Sequence, residues 1–240
     1  MSNKSALGIF FRSPVCGQVK KRLAAEIGEA EALKAYESML KATIENVSRL
    51  IGIDLYGFYE GQMASLNPLF PSGTPPIPST SRRPLEKVGT TRNRGGEGGS
   101  EKGGILEFLK KIPLYSQQGV NLGERMSNAI QWLFQKGYEK VSIIGADSPD
   151  LPPSFITDAL EKLDSHDLVI GPSEDGGYYL IGMNRSFDII FKDVNWGYKN
   201  VLKDTVSKAD AAGISYFLLP EWYDIDDLCS LNRWKLKNPA

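Results

Sequence analysis

The chain has 240 residues, 41% of them hydrophobic, which suffices for one large domain with a proper core. A net charge of −1 and a pI near 6.0 provide no overall basic field for DNA or RNA. Two cysteines, Cys16 and Cys229, make no disulfide framework, and one histidine, His166, cannot build a His-rich zinc site or supply serine or cysteine catalysis from its polar setting in LDSHDLV.

The first apolar run, ALGIFF, is ended by Arg12, too early for a signal-peptide core or a membrane span, so a cytoplasmic protein is expected. SALGIFF (5–11) predicts a buried strand. Residues 29–50 carry Leu33, Tyr36, Leu40, Ile44 and Val47 at helical spacing. DLYGFYE (54–60) predicts the next strand. LGERMSNAIQWLFQKG predicts a helix with Met126, Ile130 and Leu133 inward and Gly137 at its end. VSIIG is a strand, PSFITDALEKL a helix, DLVIG and YYLIGM two strands, YKNVLKDTVSKADAAG a helix, SYFLLP a strand and DDLCSLNRWKL a closing helix. The alternation predicts a single three-layer α/β/α domain over 1–240 with a mostly parallel central sheet, whose ligands bind at the carboxyl ends of the strands.

Residues 65–104 fall outside that alternation. They hold 6 of the 14 prolines and 8 of the 24 glycines, with six Lys/Arg against three Asp/Glu. The composition predicts a disordered insertion, most simply a solvated linker, with a binding tail or active-site lid as the sharper alternative.

Five segments carry candidate chemistry. GADSPDLPP (145–153) ends a strand with Asp147 and Asp150 around a Ser-Pro turn. Mg²⁺ uses one or two carboxylates plus water and phosphate oxygens, so Asp147 at the strand terminus is a candidate ligand, whereas Asp150 suits a turn or the cap of the next helix. FFRSPVCGQVKKRL (10–23) leaves the first strand through a turn containing Gly17 and enters a helix beside Arg12, Lys20, Lys21 and Arg22. Backbone N–H groups and cations together make a phosphate site, although neither a P-loop nor a dinucleotide fingerprint is present. GPSEDGGYYLIGM (171–183) offers Glu174 and Asp175 before a glycine pair, either to hold an acceptor hydroxyl or to act as base; a tight hairpin explains the glycines equally well. QGVNLGERMSNA (118–129) presents Asn121, Gly123 and Arg125, for a base or an anion, or Arg125 for a neighbouring carboxylate. EWYDIDDLCSL places Asp224, Asp226 and Asp227 before the last helix, one as its N-cap and another able to complete a magnesium site with Asp147.

In this order the five segments resemble the nucleotide-diphospho-sugar transferase superfamily with the glycosyltransferase A fold, and within it a family of small bacterial glycosyltransferase-A-like proteins of mostly unassigned role. FFRSPVCGQVKKRL looks like an opening F-A-R-x-P-x-x-G-x-V-K-T-R-L, with Cys16 in place of proline and Lys21 in place of threonine. WYDIDDL is shorter than the form D-x-D-T-P-E-D-L, which leaves the second metal aspartate between Asp224 and Asp226. The resemblance implies a nucleotide or nucleotide-sugar substrate, and a small-molecule acceptor. Its phosphates would lie near Arg12, Lys20 and Arg22, bridged by Mg²⁺ (or Mn²⁺) on Asp147 and Asp226. It implies a transferase, with nucleotidyl transfer from a nucleoside triphosphate slightly favoured. Glycosyl transfer with Glu174 or Asp175 facing the acceptor is the alternative, and a non-catalytic nucleotide-binding module the third possibility.

Overall fold

The computed structural model describes residues 4–61 and 105–237; the insertion expected over 65–104 lies outside the described residues. Among these, seven strands form one sheet: β1 (Ser5–Arg12), β2 (Ile53–Glu60), β3 (Leu114–Ser116), β4 (Lys140–Gly145), β5 (Leu168–Pro172), β6 (Tyr178–Met183) and β7 (Tyr216–Leu218). The helices are α1 (Lys21–Ile27), α2 (Glu29–Val47), α3 (Ile105–Leu109), α4 (Leu122–Gln135), α5 (Pro153–Lys162), α6 (Val201–Ala211) and α7 (Leu228–Lys237).

The strand order is β3-β2-β1-β4-β6-β5-β7. All neighbours are parallel except β6, which runs antiparallel to both β4 and β5. The chain builds outward from β1 through β2 to β3, then returns to lay β4 on the other side of β1. That reversal is a topological switch point, where the loops after β1 and β4 diverge and leave a crevice.

The continuous apolar strands follow from burial on both faces. On one face Leu7 and Ile9 of β1 pack with Leu40 and Ile44 of α2, Leu109 of α3 and Ile156 of α5. On the other, Ala6, Phe58 and Ile143 pack with Met126, Ile130 and Leu133 of α4 and Ala209 of α6. A third cluster, Leu23, Met39, Leu231 and Trp234, joins α1, α2 and α7. It brings the chain's last helix against the turn that follows its first strand. No described helix is long and apolar enough to cross a membrane.

Candidate active site at the switch point

A cleft of about 700 Å³ opens at the switch point, within the size range of small-molecule sites. Phe10, Met126, Ile143 and Ile181 give it an apolar floor, and Arg12, Lys20, Lys21, Arg22, Arg125, Asp147, Asp224 and Asp226 are among its polar lining.

Asp147 sits two residues beyond β4. Its carbonyl accepts the Ile225 N–H at 2.9 Å, which ties the loop before α7 to the end of β4. Asp226 is thereby carried to Asp147. Both carboxylates converge on one atom, Lys20 Nζ, at 2.8 Å from Asp147 Oδ1 and 2.9 Å from Asp226 Oδ1; the same ammonium donates to the Ile225 carbonyl. The Lys20 side chain is only 6% exposed, while the two carboxylates are about half exposed, at 48% and 49%. Burial opposes the lysine's charge, but the paired carboxylates outweigh it and raise its pKa above the ordinary value. Lys20 is also held in the left-handed backbone region (φ 47°), uncommon for a non-glycine residue, at the start of α1.

Asp224 lies behind this pair. Ser148 and Ser173 donate to its two carboxylate oxygens at 2.7 and 2.5 Å. Burial, with Asp147 and Asp175 nearby, outweighs those bonds and pushes its pKa up to about 6. Asp224 is thus a braced neighbour of the pair, and Asp226 is the residue that faces Asp147 across a shared cation. Among the described residues no three His, Cys, Asp or Glu side chains gather to cage a metal. A pair of half-exposed carboxylates already sharing one cation suits Mg²⁺, which takes its remaining ligands from water and phosphate.

Glu60 at the end of β2 also lines the cleft. It lies beside Arg12 in the β1–β2 register, pairs with Arg12 Nε at 3.2 Å, and also pairs with Arg125 Nη1. The Tyr36 hydroxyl fixes the Arg12 backbone, accepting its N–H at 2.8 Å and donating to its carbonyl at 3.0 Å.

The other candidate residues lie around the cleft without lining it. Glu174 pairs with Arg233 of α7 at 3.2 Å. Asp175 accepts the Gly177 N–H at 2.9 Å, closing the hairpin into β6. Asn121 is the N-cap of α4, accepting the Glu124 N–H, and Gly123 gives close passage to the Trp196 ring. Gly17 takes a left-handed turn against Glu29. Asp150 does not cap α5, whose N-cap is Pro152; its carboxylate instead accepts the Tyr223 hydroxyl at 2.6 Å. Asp227 is the capping aspartate of α7, accepting the Ser230 N–H at 2.8 Å.

Sequence reasoning missed Tyr36, Glu60 and the Ser148 and Ser173 braces. Glu60 carried a usable signal, since it ends a parallel strand as a carboxylate, as Asp147 nearly does. Tyr36 gave none beyond its place on the buried helix stripe.

The family model described as "Uncharacterized protein conserved in bacteria (DUF2064)" matches residues 94–198. No curated protein matches by sequence. A crystal structure from Desulfovibrio desulfuricans G20, named as a candidate nucleotide-diphospho-sugar transferase, is 31% identical with a TM-score of 0.77, covering 100% of this chain and 89% of that one. The 4-diphosphocytidyl-2C-methyl-D-erythritol synthase of Anaerococcus prevotii DSM 20548 shares the fold at 9% identity and TM-score 0.56, covering 98% of this chain and 96% of that one. CMP:2-keto-3-deoxy-manno-octonic acid synthetase, solved with CTP, does so at 8% identity and TM-score 0.54, covering 98% of each chain. With its mostly parallel sheet, its cleft at the switch point and the 31%-identical relative spanning its whole length, the chain belongs to the nucleotide-diphospho-sugar transferase superfamily.

Proposed function

We propose that the protein is a Mg²⁺-dependent nucleotidyltransferase that joins a nucleoside monophosphate from a nucleoside triphosphate to a small acceptor and releases pyrophosphate. The observation that carries this reading is the convergence of Asp147, Asp226 and Lys20 at the cleft wall, beside the basic turn of Arg12, Lys21 and Arg22. The apolar floor suits a base or ribose, and the cations suit a chain of three phosphates. That one fold neighbour is named as a CMP:2-keto-3-deoxy-manno-octonic acid synthetase solved with CTP and another as a 4-diphosphocytidyl-2C-methyl-D-erythritol synthase agrees with the reading.

Asp147 and Asp226 would hold the metal, which neutralises charge on the phosphate oxygens when bound. Everything else falls to the chain's own groups. An acceptor oxygen forms a bond to the α-phosphorus while the bond from that phosphorus to the bridging oxygen breaks, and the electron pair leaves with pyrophosphate. Lys20 and Arg22 offset the charge that grows on the leaving group, and an acceptor hydroxyl loses its proton to solvent. Arg12, fixed by Tyr36 and Glu60, orients the phosphates. The floor residues exclude water from one side of the nucleotide. Positioning and electrostatic stabilisation supply most of the acceleration in such a reaction.

Glycosyl transfer from a nucleotide sugar is the second reading, favoured by the name of the 31%-identical relative. One assay separates the two: nucleoside triphosphates and nucleotide sugars are screened with Mg²⁺, and the product is scored as pyrophosphate or nucleoside diphosphate. Pyrophosphate release from a triphosphate is expected. Asp147→Ala should lower that turnover at least 100-fold, in the range typical of lost electrostatic stabilisation. Nucleoside diphosphate release selects glycosyl transfer. Nucleotide binding that Mg²⁺ and Asp147→Ala leave unchanged would reduce the protein to a binding module.

A further inference from the structure

A lysine ammonium has three N–H donors, and at Lys20 three acceptors surround it: Asp147, Asp226 and the Ile225 carbonyl. To reach a phosphate it must give up at least one of them. Its neighbours differ, since the Arg22 side chain is 84% exposed and touches Asp226 only at 4.0 Å. Among Arg12, Lys20, Lys21 and Arg22, Lys20 is the one whose side chain is buried against its carboxylate partners; Arg12, although paired with Glu60, is 63% exposed. The left-handed backbone at Lys20 is the kind of local strain that survives only where surrounding contacts hold it.

On the function proposed above, which this inference rests on, the same two carboxylates hold the divalent ion. We propose that Lys20 is a built-in counter-ion: its ammonium holds Asp147 and Asp226 together before a divalent cation binds, and entry of that cation releases it toward the nucleotide phosphates. The arrangement meets two needs at once. Two like charges brought together at a cleft wall repel each other, and a cation between them keeps them oriented for the metal. A divalent ion competes because it offers twice the charge to the same oxygens. The released ammonium then arrives beside phosphates only after the metal is in place, so order of binding is built into one side chain. Lys20 in this role is a positioning residue for the metal pair as well as a phosphate ligand.

Mn²⁺ binding to the full-length protein, with no nucleotide present, is the test. Free Mn²⁺ is followed by electron paramagnetic resonance in the wild type, Lys20→Met and Lys20→Met/Asp147→Asn. Removing the competing charge should tighten Mn²⁺ binding at least tenfold in Lys20→Met, and the double variant should lose that gain. A lysine with a merely structural role predicts weaker or unchanged binding in Lys20→Met, and that result overturns the proposal. A wild-type measurement guards against misfolding of the variant: acetylation of Lys20 by an amine-reactive ester, mapped by mass spectrometry. The Lys20 side chain, reacting through its neutral amine, should be acetylated severalfold faster once Mn²⁺ saturates the protein and frees it from its partners; an unchanged rate counts against the proposal. The two readings can fail separately. Mg²⁺-dependent pyrophosphate release without a Mn²⁺ gain in Lys20→Met removes the counter-ion and keeps the transferase. Tighter Mn²⁺ binding in Lys20→Met with no product from any nucleotide does the reverse.

Discussion

Asp224 shows why residue type alone does not assign a role. WYDIDDL offers three aspartates within four residues, and what separates them is their partners: two serine hydroxyls on Asp224, the Lys20 ammonium on Asp226 and the α7 N-terminus on Asp227. None of those partners is nearby in sequence except Ser230, so only the capping role was legible locally. The convergence of Asp147 and Asp226 could be anticipated from strand ends sharing one rim; the occupant between them could not, because Lys20 lies 206 positions from Asp226. Asp224 also makes a pH prediction. Its folded pKa of about 6 stands above the ordinary 3.8, so the native state binds the extra proton in that window and stability falls as pH rises through it. With partial exposure discounted, the loss is roughly 1–2 kcal/mol, complete above about pH 7 and absent below about pH 4. Urea unfolding in EDTA should show the wild type losing that much relative to Asp224→Asn between those limits. Parallel pH curves would place the Asp224 carboxylate in a less costly setting than the structure gives it.

At the scale of elements, long periodic segments were legible; of the shortest, SYFLLP was read as the strand that is β7, and two others were not. The stripe on α2, apart from the half-buried Leu33, and the inward set on α4 are where periodicity placed them, and Gly137 ends α4 in a left-handed turn. α3 and β3 span five and three residues, too few to complete a pattern of either period, and both escaped detection. Nor does an apolar strand covered on both faces reveal its direction; only the tight Ser173–Gly177 turn betrays that β6 runs against β5. Gly176 in that turn allows a quantitative check. It has φ +89°, and a Cβ there would lie 2.0 Å from the Lys199 carbonyl oxygen, backbone that cannot swing aside. Leu202 N–H also donates to the Gly176 carbonyl at 3.0 Å, so the turn braces the start of α6. Gly137→Ala meets the same conformational penalty at φ +96° with nothing within 4 Å. Gly176→Ala should therefore cost roughly 2–4 kcal/mol and Gly137→Ala about 1 kcal/mol by urea unfolding. Equal losses would mean the segment around Lys199 yields to the turn.

For the molecule as a whole, the cleft is assembled from parts that the chain delivers far apart: the turn after β1, the end of β2, the start of α4, the end of β4 and the loop before α7. A ligand that bridges them couples its own affinity to global unfolding, because the unfolded chain holds no such site. Stabilisation then follows the ligand excess, about 2.7 kcal/mol at one hundred times Kd. For a protein of this size that corresponds to a rise in Tm of roughly 5–10 °C. The proposed pairing of metal and phosphate adds a distinctive pattern: a nucleoside triphosphate with Mg²⁺ should raise Tm by that amount, and either component alone by much less. Asp147→Ala and Asp226→Ala should each abolish the joint increment, because a single remaining carboxylate leaves the metal held mainly by phosphate and water. Asp150→Ala, which removes only the Tyr223 partner and a 3.6 Å contact to Lys237, should lower the starting Tm yet keep the increment. A joint increment that survives in the Asp147 and Asp226 variants would move the metal away from the switch point, and the proposed function with it.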